Sequence, residues 1–318
     1  MDDAIAAGIL RALTTLGAAL LALPVVAWIE GMRGSRTTVA SGVVSRGPRG
    51  ALTALASALK LLEKRAPRTL EADRLLHALA PVLGLIPTVA LLAILPVSSS
   101  DPVRAPLPMA LALPLLGTGA IALAGVGGGN KLAQLSALRL VALRLSVVVV
   151  VAVGAVGSVL VAGSAELPEM VAAQARPLWG PLPRWGVLLD APGFFASILA
   201  LGIHAQHVVR ARTVPSLAEP WHGEATGPVL LGHRVFESLD LLGSAALVAV
   251  LFLGGWHLPF FGDGGVIVSA LKLLIALGAI VSVRNLIPAL TPGVAVRLCW
   301  TLLIPSAAAG AVLAWLLA

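Results

Sequence analysis

Eight apolar stretches of roughly 20 residues punctuate this chain, at 5–28, 75–97, 106–126, 138–162, 185–208, 240–256, 266–283 and 294–317. That length matches a hydrocarbon core of about 30 Å crossed at about 1.5 Å per residue. The stretches are rich in Ala, Leu, Val and Gly and lack the period-two alternation of barrel strands. The pattern predicts an all-α polytopic membrane protein with about eight transmembrane helices in a single membrane domain over 1–318. The first polar break, 30–74, is too long to be only a connection. Its opening, "EGMRGSRTTVASGVVSRGPRG", is Gly-rich and irregular. From Gly50 the pattern turns helical: Leu52, Leu55, Leu59 and Leu62 share one face, while Lys60, Lys64 and Arg65 lie off it. Too short to span, this segment predicts an amphipathic interfacial helix, with lipid headgroups as its plainest partner. A second polar loop is expected at 209–239.

Charge adds direction to the pattern. Of the 22 Lys and Arg residues, 17 fall in or beside loops 1–2, 3–4, 5–6 and 7–8. Arg11, Arg104, Arg176 and Arg184 lie on the other side, and Lys272 falls inside the seventh span. The positive-inside rule therefore predicts cytoplasmic placement for those four loops and an outer placement for both termini. An even number of spans requires the same. The first residues, "MDDAIAAGIL", lack a basic region and are expected to begin a retained span rather than a signal peptide.

Composition agrees: 58% of residues are hydrophobic and 12% charged, where a soluble domain carries about 25%. The net charge of +7 follows from topology, so no nucleic-acid partner is expected. The lone Cys299 excludes an internal disulfide and a cysteine-ligated cluster, and reads as a small buried apolar residue.

Three polar segments carry candidate chemistry. "VGGGNKLAQLSALRL" places glycines before a helix, a phosphate-cradling pattern, but lacks the Walker lysine spacing. Behind it, Arg139 and Arg144 enter a span, where they would either face protein or water or snorkel to the interface. The third, "HAQHVVRARTVPSLAEPWHGEATGPVLLGHRVFESLD", gathers His204, His207, His222 and His233 with Glu219, Glu224, Glu237 and Asp240. It has neither HxxxH nor HExxH spacing, so no metal site is expected. Two readings stand: a solvated cytoplasmic loop, or proton-relay or ligand groups at the ends of spans five and six. No G-x-S-x-G elbow occurs, and no catalytic set is assigned. No internal repeat is visible, which argues against a transporter built from matched halves.

The landmarks in order resemble respiratory complex I subunit 1, the family of the NADH-quinone oxidoreductase H subunit, over nearly the whole chain. They begin with Glu30–Gly31 at the end of span one and "SRGPRG" with Arg46, Gly47, Pro48 and Gly50. Ser57 and Lys60 follow in the interfacial helix, then Asp73, Arg74, Ala80 and Pro81 entering span two. "GNKLAQLSALR" matches next with Asn130, Lys131 and Arg139, then Ser146 and "AGS" at 162–164. His222, Glu224, Thr226 and Gly227, then Glu237 and finally "LFLGGW", complete the series.

The resemblance implies a proton-translocating translocase subunit in the inner (plasma) membrane. It would form the membrane side of the quinone chamber and dock the hydrophilic redox arm. Glu30, Arg46, Arg49, Lys60, Asp73 and Arg74 would serve the quinone entrance and arm docking. His222, Glu224 and Glu237 would form the polar path toward antiporter-like membrane subunits. Quinone would be the substrate. FMN and iron–sulfur clusters would sit in partner subunits of the respiratory chain, with no cofactor bound by this chain. Three departures stand out. The interfacial Asp is Ser57, the family's Ser-Tyr-Glu in span four is Ser146-Val147-Val148, and the acidic run of loop 5–6 is basic here. They keep two alternatives open: the equivalent subunit of a hydrogenase-type complex, and a non-redox membrane scaffold or transporter.

Overall fold

The computed structural model describes residue 17 and residues 49–64, 72–96, 104–179, 182–210, 221–222, 225–258, 262–263, 265–288 and 290–317. The first expected span, apart from Gly17, lies outside the described residues. The chain is an all-α polytopic membrane protein: six helices are long and apolar enough to cross a bilayer, among the described residues.

Helix α1 is Arg49–Glu63, where the leucine stripe predicts it. Leu59 and Leu62 are each 56% exposed, so part of the leucine stripe is uncovered, as an interfacial helix requires. Helices α2 (Arg74–Ile94), α3 (Leu107–Gly127) and α4 (Lys131–Ala162) follow, then a short α5 (Leu167–Gln174). Strands β1 (Pro177–Trp179) and β2 (Leu182–Pro183) form a small antiparallel hairpin. One turn, α6 (Gly186–Leu189), precedes α7 (Ala191–Arg210) and α8 (Gly227–Phe252). A second hairpin, β3 (His257–Leu258) with β4 (Gly262–Asp263), leads into α9 (Gly265–Leu286). Helix α10 (Pro292–Leu317) closes the chain and carries a π-helical stretch at Cys299–Leu303.

The described residues fall into two compact units. One lies within 1–93, 116–141 and 206–241, the other within 94–115, 142–205 and 242–318. Helices α2, α3, α4, α7 and α8 contribute residues to both.

In the first unit, Asp73 caps α2: its Oδ1 accepts the Leu75 and Leu76 amides at 2.9 and 3.1 Å. The Asp73 amide donates to the Gly127 carbonyl at 3.1 Å, tying the start of α2 to the end of α3. Glycines at the end of α3 permit this close approach. A Cβ on Gly127 would stand 2.8 Å from the His77 amide nitrogen, and one on Gly125 2.4 Å from Ala137 Cβ. Gly129 makes the turn at φ +68, and Asn130 Oδ1 accepts the Leu132 amide at 2.9 Å as α4 begins. Pro81 and Pro87 lie inside α2, as neighbouring helices in a membrane permit. Gly84 and Gly232 admit Phe236 and Pro81 respectively, so small residues set the contacts among α2, α3 and α8.

In the second unit, Asp190 is fully buried at the head of α7. Its Oδ1 accepts the Gly193 amide at 2.9 Å. Gly157 of α4, Gly193 of α7 and Gly310 of α10 surround the carboxyl so closely that a Cβ on any of them would come within 2.3 Å of it. Gln174 ties α5 to its neighbours: Nε2 donates to the Val250 carbonyl and Oε1 accepts the Gly186 amide. Lys272, expected within a span, is 5% exposed; its Nζ donates to the His257 carbonyl and sits 4.4 Å from the Trp185 ring centre. Cys299 is free and buried, as read from the sequence.

Candidate functional site

The polar groups singled out between spans five and six converge in the first unit. Hydropathy places the sixth span from 240, but α8 starts at Gly227, where the backbone turns at φ +59. His233 and Glu237 are therefore helical residues one turn apart, at i and i+4 on one face. Helix α8 tolerates them because both are buried in protein, His233 at 0% and Glu237 at 3% exposure. Its neighbours, not lipid, supply the environment that a hydropathy average assumes.

His222 sits on a turn just before α8, closed by the Ala225 amide donating to its carbonyl at 2.8 Å. Its Nε2 lies 3.3 Å from Glu237 Oε1, with the Glu237 side chain 1% exposed. The contact is electrostatic rather than an aligned hydrogen bond. His233, at 0% exposure, stacks on His222 with centroids 6.0 Å apart and planes 15° from parallel. Trp221, also fully buried, sets its edge against both rings, at 4.9 Å from His222 and 5.0 Å from His233. From α2, His77 lies within electrostatic reach of His233. One carboxylate thus meets His222, with His233 and Trp221 packed around that imidazole.

Of the other expected site residues, Glu30, Arg46 and Glu224 lie outside the described residues. Arg49 is the first residue of α1 and Lys60 is exposed on its last turn. Asp73 is the cap of α2 and Arg74 its first residue. The structure brings His222 and Glu237 together. His233, grouped with them in the sequence, packs beside them, and Trp221 and His77, to which sequence gives no role, are added by the structure. The i, i+4 spacing of His233 and Glu237 is a usable signal in the chain, masked because the polar first turns of α8 fall below a span's hydropathy.

The second unit shows what stands at the lost carboxylate. Val148 is buried and, with Arg144, Val147, Val151, Leu201 and Ser244, borders a cavity of about 20 Å³, room for about one water. Arg144 is 3% exposed and so faces protein rather than snorkelling; Arg139 is exposed. Ser146 donates to the Ala142 carbonyl and accepts the Trp300 indole N–H at 3.1 Å, from the π-helical stretch of α10. No trio of His, Cys, Asp or Glu among the described residues is placed to hold a metal ion.

Comparison with known proteins gives these features a family. A family model described as NADH dehydrogenase matches residues 10–315. The NADH-quinone oxidoreductase H subunit of Desulfotalea psychrophila is 28% identical over 325 residues, covering 93% of this chain and 94% of the relative. Its counterpart in Geobacillus kaustophilus is 28% identical over 303 residues, covering 91% and 89%. That of Vesicomyosocius okutanii is 31% identical over 219 residues, covering 67% of this chain and 60% of the relative. With the family model matching almost end to end, and the ordered landmarks and buried Glu237 in place, the chain belongs to the NADH dehydrogenase family that includes the NADH-quinone oxidoreductase H subunit.

Proposed function

We propose that this chain is the membrane subunit that closes the membrane side of the quinone chamber in an NADH-quinone oxidoreductase and docks the hydrophilic redox arm. The family match and the exposed apolar face of helix α1 support this reading. Arg49 and Lys60 on α1, with Glu30 and Arg46 before them and Asp73 and Arg74 after, form the entrance and docking surface. The cap at Asp73 gives that surface a rigid end. Both termini face outward, and the basic loops face the cytoplasm. Quinone is the substrate. FMN and iron–sulfur clusters belong to the partner subunits of the arm, and antiporter-like subunits adjoin the membrane side.

The observation that carries the coupling role is the buried pair of His222 and Glu237, 3.3 Å apart. A carboxylate inside a membrane helix is costly and persists where it moves or balances charge. Together with Glu224, the pair is the polar path of this subunit. In membranes holding the assembled complex, Glu237→Gln lowers proton translocation per quinone reduced by about ten-fold. Arg104→Gln, at an exposed position that the charge pattern places on the outer side, leaves it unchanged. Equal effects would remove Glu237 from the path. Purification of the chain as a free monomer, without quinone-reductase subunits, would overturn the assignment to a complex.

A further inference from the structure

Helix α8 fixes two members of the cluster: His233 and Glu237 lie on consecutive turns, about 6 Å apart along the axis. His222 has no such anchor. It precedes the helix, on the turn closed by the Ala225 amide, and α8 begins only at Gly227. Outside a helix its ring can occupy any of three staggered χ1 wells. Standing 3.3 Å from Glu237 Oε1 requires one of them. That contact is not an aligned hydrogen bond, so it does not by itself set the ring's orientation. Two ring contacts do. His233 faces the His222 ring nearly parallel, and Trp221 meets it edge-on at 71°. Trp221 also meets His233, at 77°, so one indole touches both the ring on the turn and the ring on the helix. Trp221 is fully buried, and its Nε1 has no hydrogen-bond partner among the described residues. The indole therefore acts by shape and ring contact, not as a donor.

We propose that Trp221 is a positioning residue: it braces His222 against His233 so that His222 Nε2 is held at Glu237. This deepens the coupling role assigned above to His222 and Glu237 and rests on it. An edge-on ring contact favours one side-chain position over its alternatives by about two- to ten-fold. Without the indole, His222 spends more of its time in wells that do not reach Glu237. Coupling then falls while the helix, the carboxylate and the imidazole are all still present. A ring without the N–H serves as well as the indole, because that N–H contacts no acceptor. An aliphatic side chain does not, because it fills space without holding the edge-on geometry.

The test uses membranes with the assembled complex and compares Trp221→Phe, Trp221→Leu, Trp221→Met, His222→Gln and Glu237→Gln. Assembly is followed on native gels, and proton translocation is measured per quinone reduced. Trp221→Leu and Trp221→Met are expected to lower the ratio by about five-fold while quinone reduction stays within about two-fold of normal. Trp221→Phe is expected to keep the ratio within about two-fold of normal. In a His222→Gln background, Trp221→Leu is expected to add no further loss, because it acts through His222. A normal ratio in Trp221→Leu and Trp221→Met, with the ratio lost in Glu237→Gln, overturns the positioning role and leaves the coupling role standing. A loss in Trp221→Phe equal to theirs, or an additive loss in the His222→Gln background, overturns it too. Failure of both aliphatic variants to assemble makes Trp221 a structural residue and likewise overturns it. A normal ratio in Glu237→Gln removes the coupling role beneath it.

Discussion

At the scale of single residues, the tightest demands fall on glycines rather than on charged groups. Gly310 faces Asp190 Oδ1 so closely that a Cβ would lie 2.0 Å away, with the Gly193 amide nitrogen at 2.7 Å. Backbone must move to admit a methyl group there. Gly310→Ala is expected to destabilise the protein by about 1–3 kcal/mol, read as a lower unfolding temperature in detergent. Adding Asp190→Ala should recover part of that loss, because the two changes meet at one contact. Gly119, whose Cβ position has nothing within 4 Å, is the control: Gly119→Ala should change stability by no more than about 0.5 kcal/mol. None of this is legible in the chain. Small residues at 157, 193 and 310 look alike in sequence, and only the packing of three helices brings them around one carboxyl.

At the scale of elements, periodicity predicts α1 well and the start of α8 poorly, for related reasons. Helix α1 carries an apolar stripe with its charges off that face, so its whole pattern is written in local sequence, as in an interfacial helix. Its exposed leucines are a direct consequence. Leu59→Glu together with Leu62→Glu should release the helix from the bilayer and raise trypsin cleavage at Lys60 and Lys64 by about ten-fold in membrane vesicles. Unchanged cleavage would mean that protein rather than lipid covers that face. Helix α8 is buried in protein over most of its length. Its first turns carry His233, Arg234 and Glu237, which depress hydropathy without ending the helix. The departure at Val148 is likewise visible in sequence, but its setting is not: the valine borders a small cavity with the buried Arg144.

For the whole molecule, orientation is the property that charge alone addresses. The lone thiol, Cys299, is fully buried, which makes single-cysteine labelling simple. In a Cys299→Ala background, a membrane-impermeant maleimide should label Arg104→Cys only from the outer side and Lys131→Cys only from the cytoplasmic side. Both parent residues are exposed. The reverse pattern would invert the proposed topology and move α1 away from the side where a redox arm could dock.

The sequence by itself determined that the chain is helical and crosses the membrane repeatedly. It also carried the family, through landmarks whose order survives about 28% identity. Those are sums over many residues: transfer free energy accumulates along a window, and motif order accumulates along a chain. The tertiary structure alone decided that His222 turns back onto Glu237, that His233 and Trp221 complete the cluster, and that glycines enclose Asp190. Each of these is a choice of partner between helices. Inside a membrane the partner of a polar group is set by which helix face meets which, and no local average contains that information.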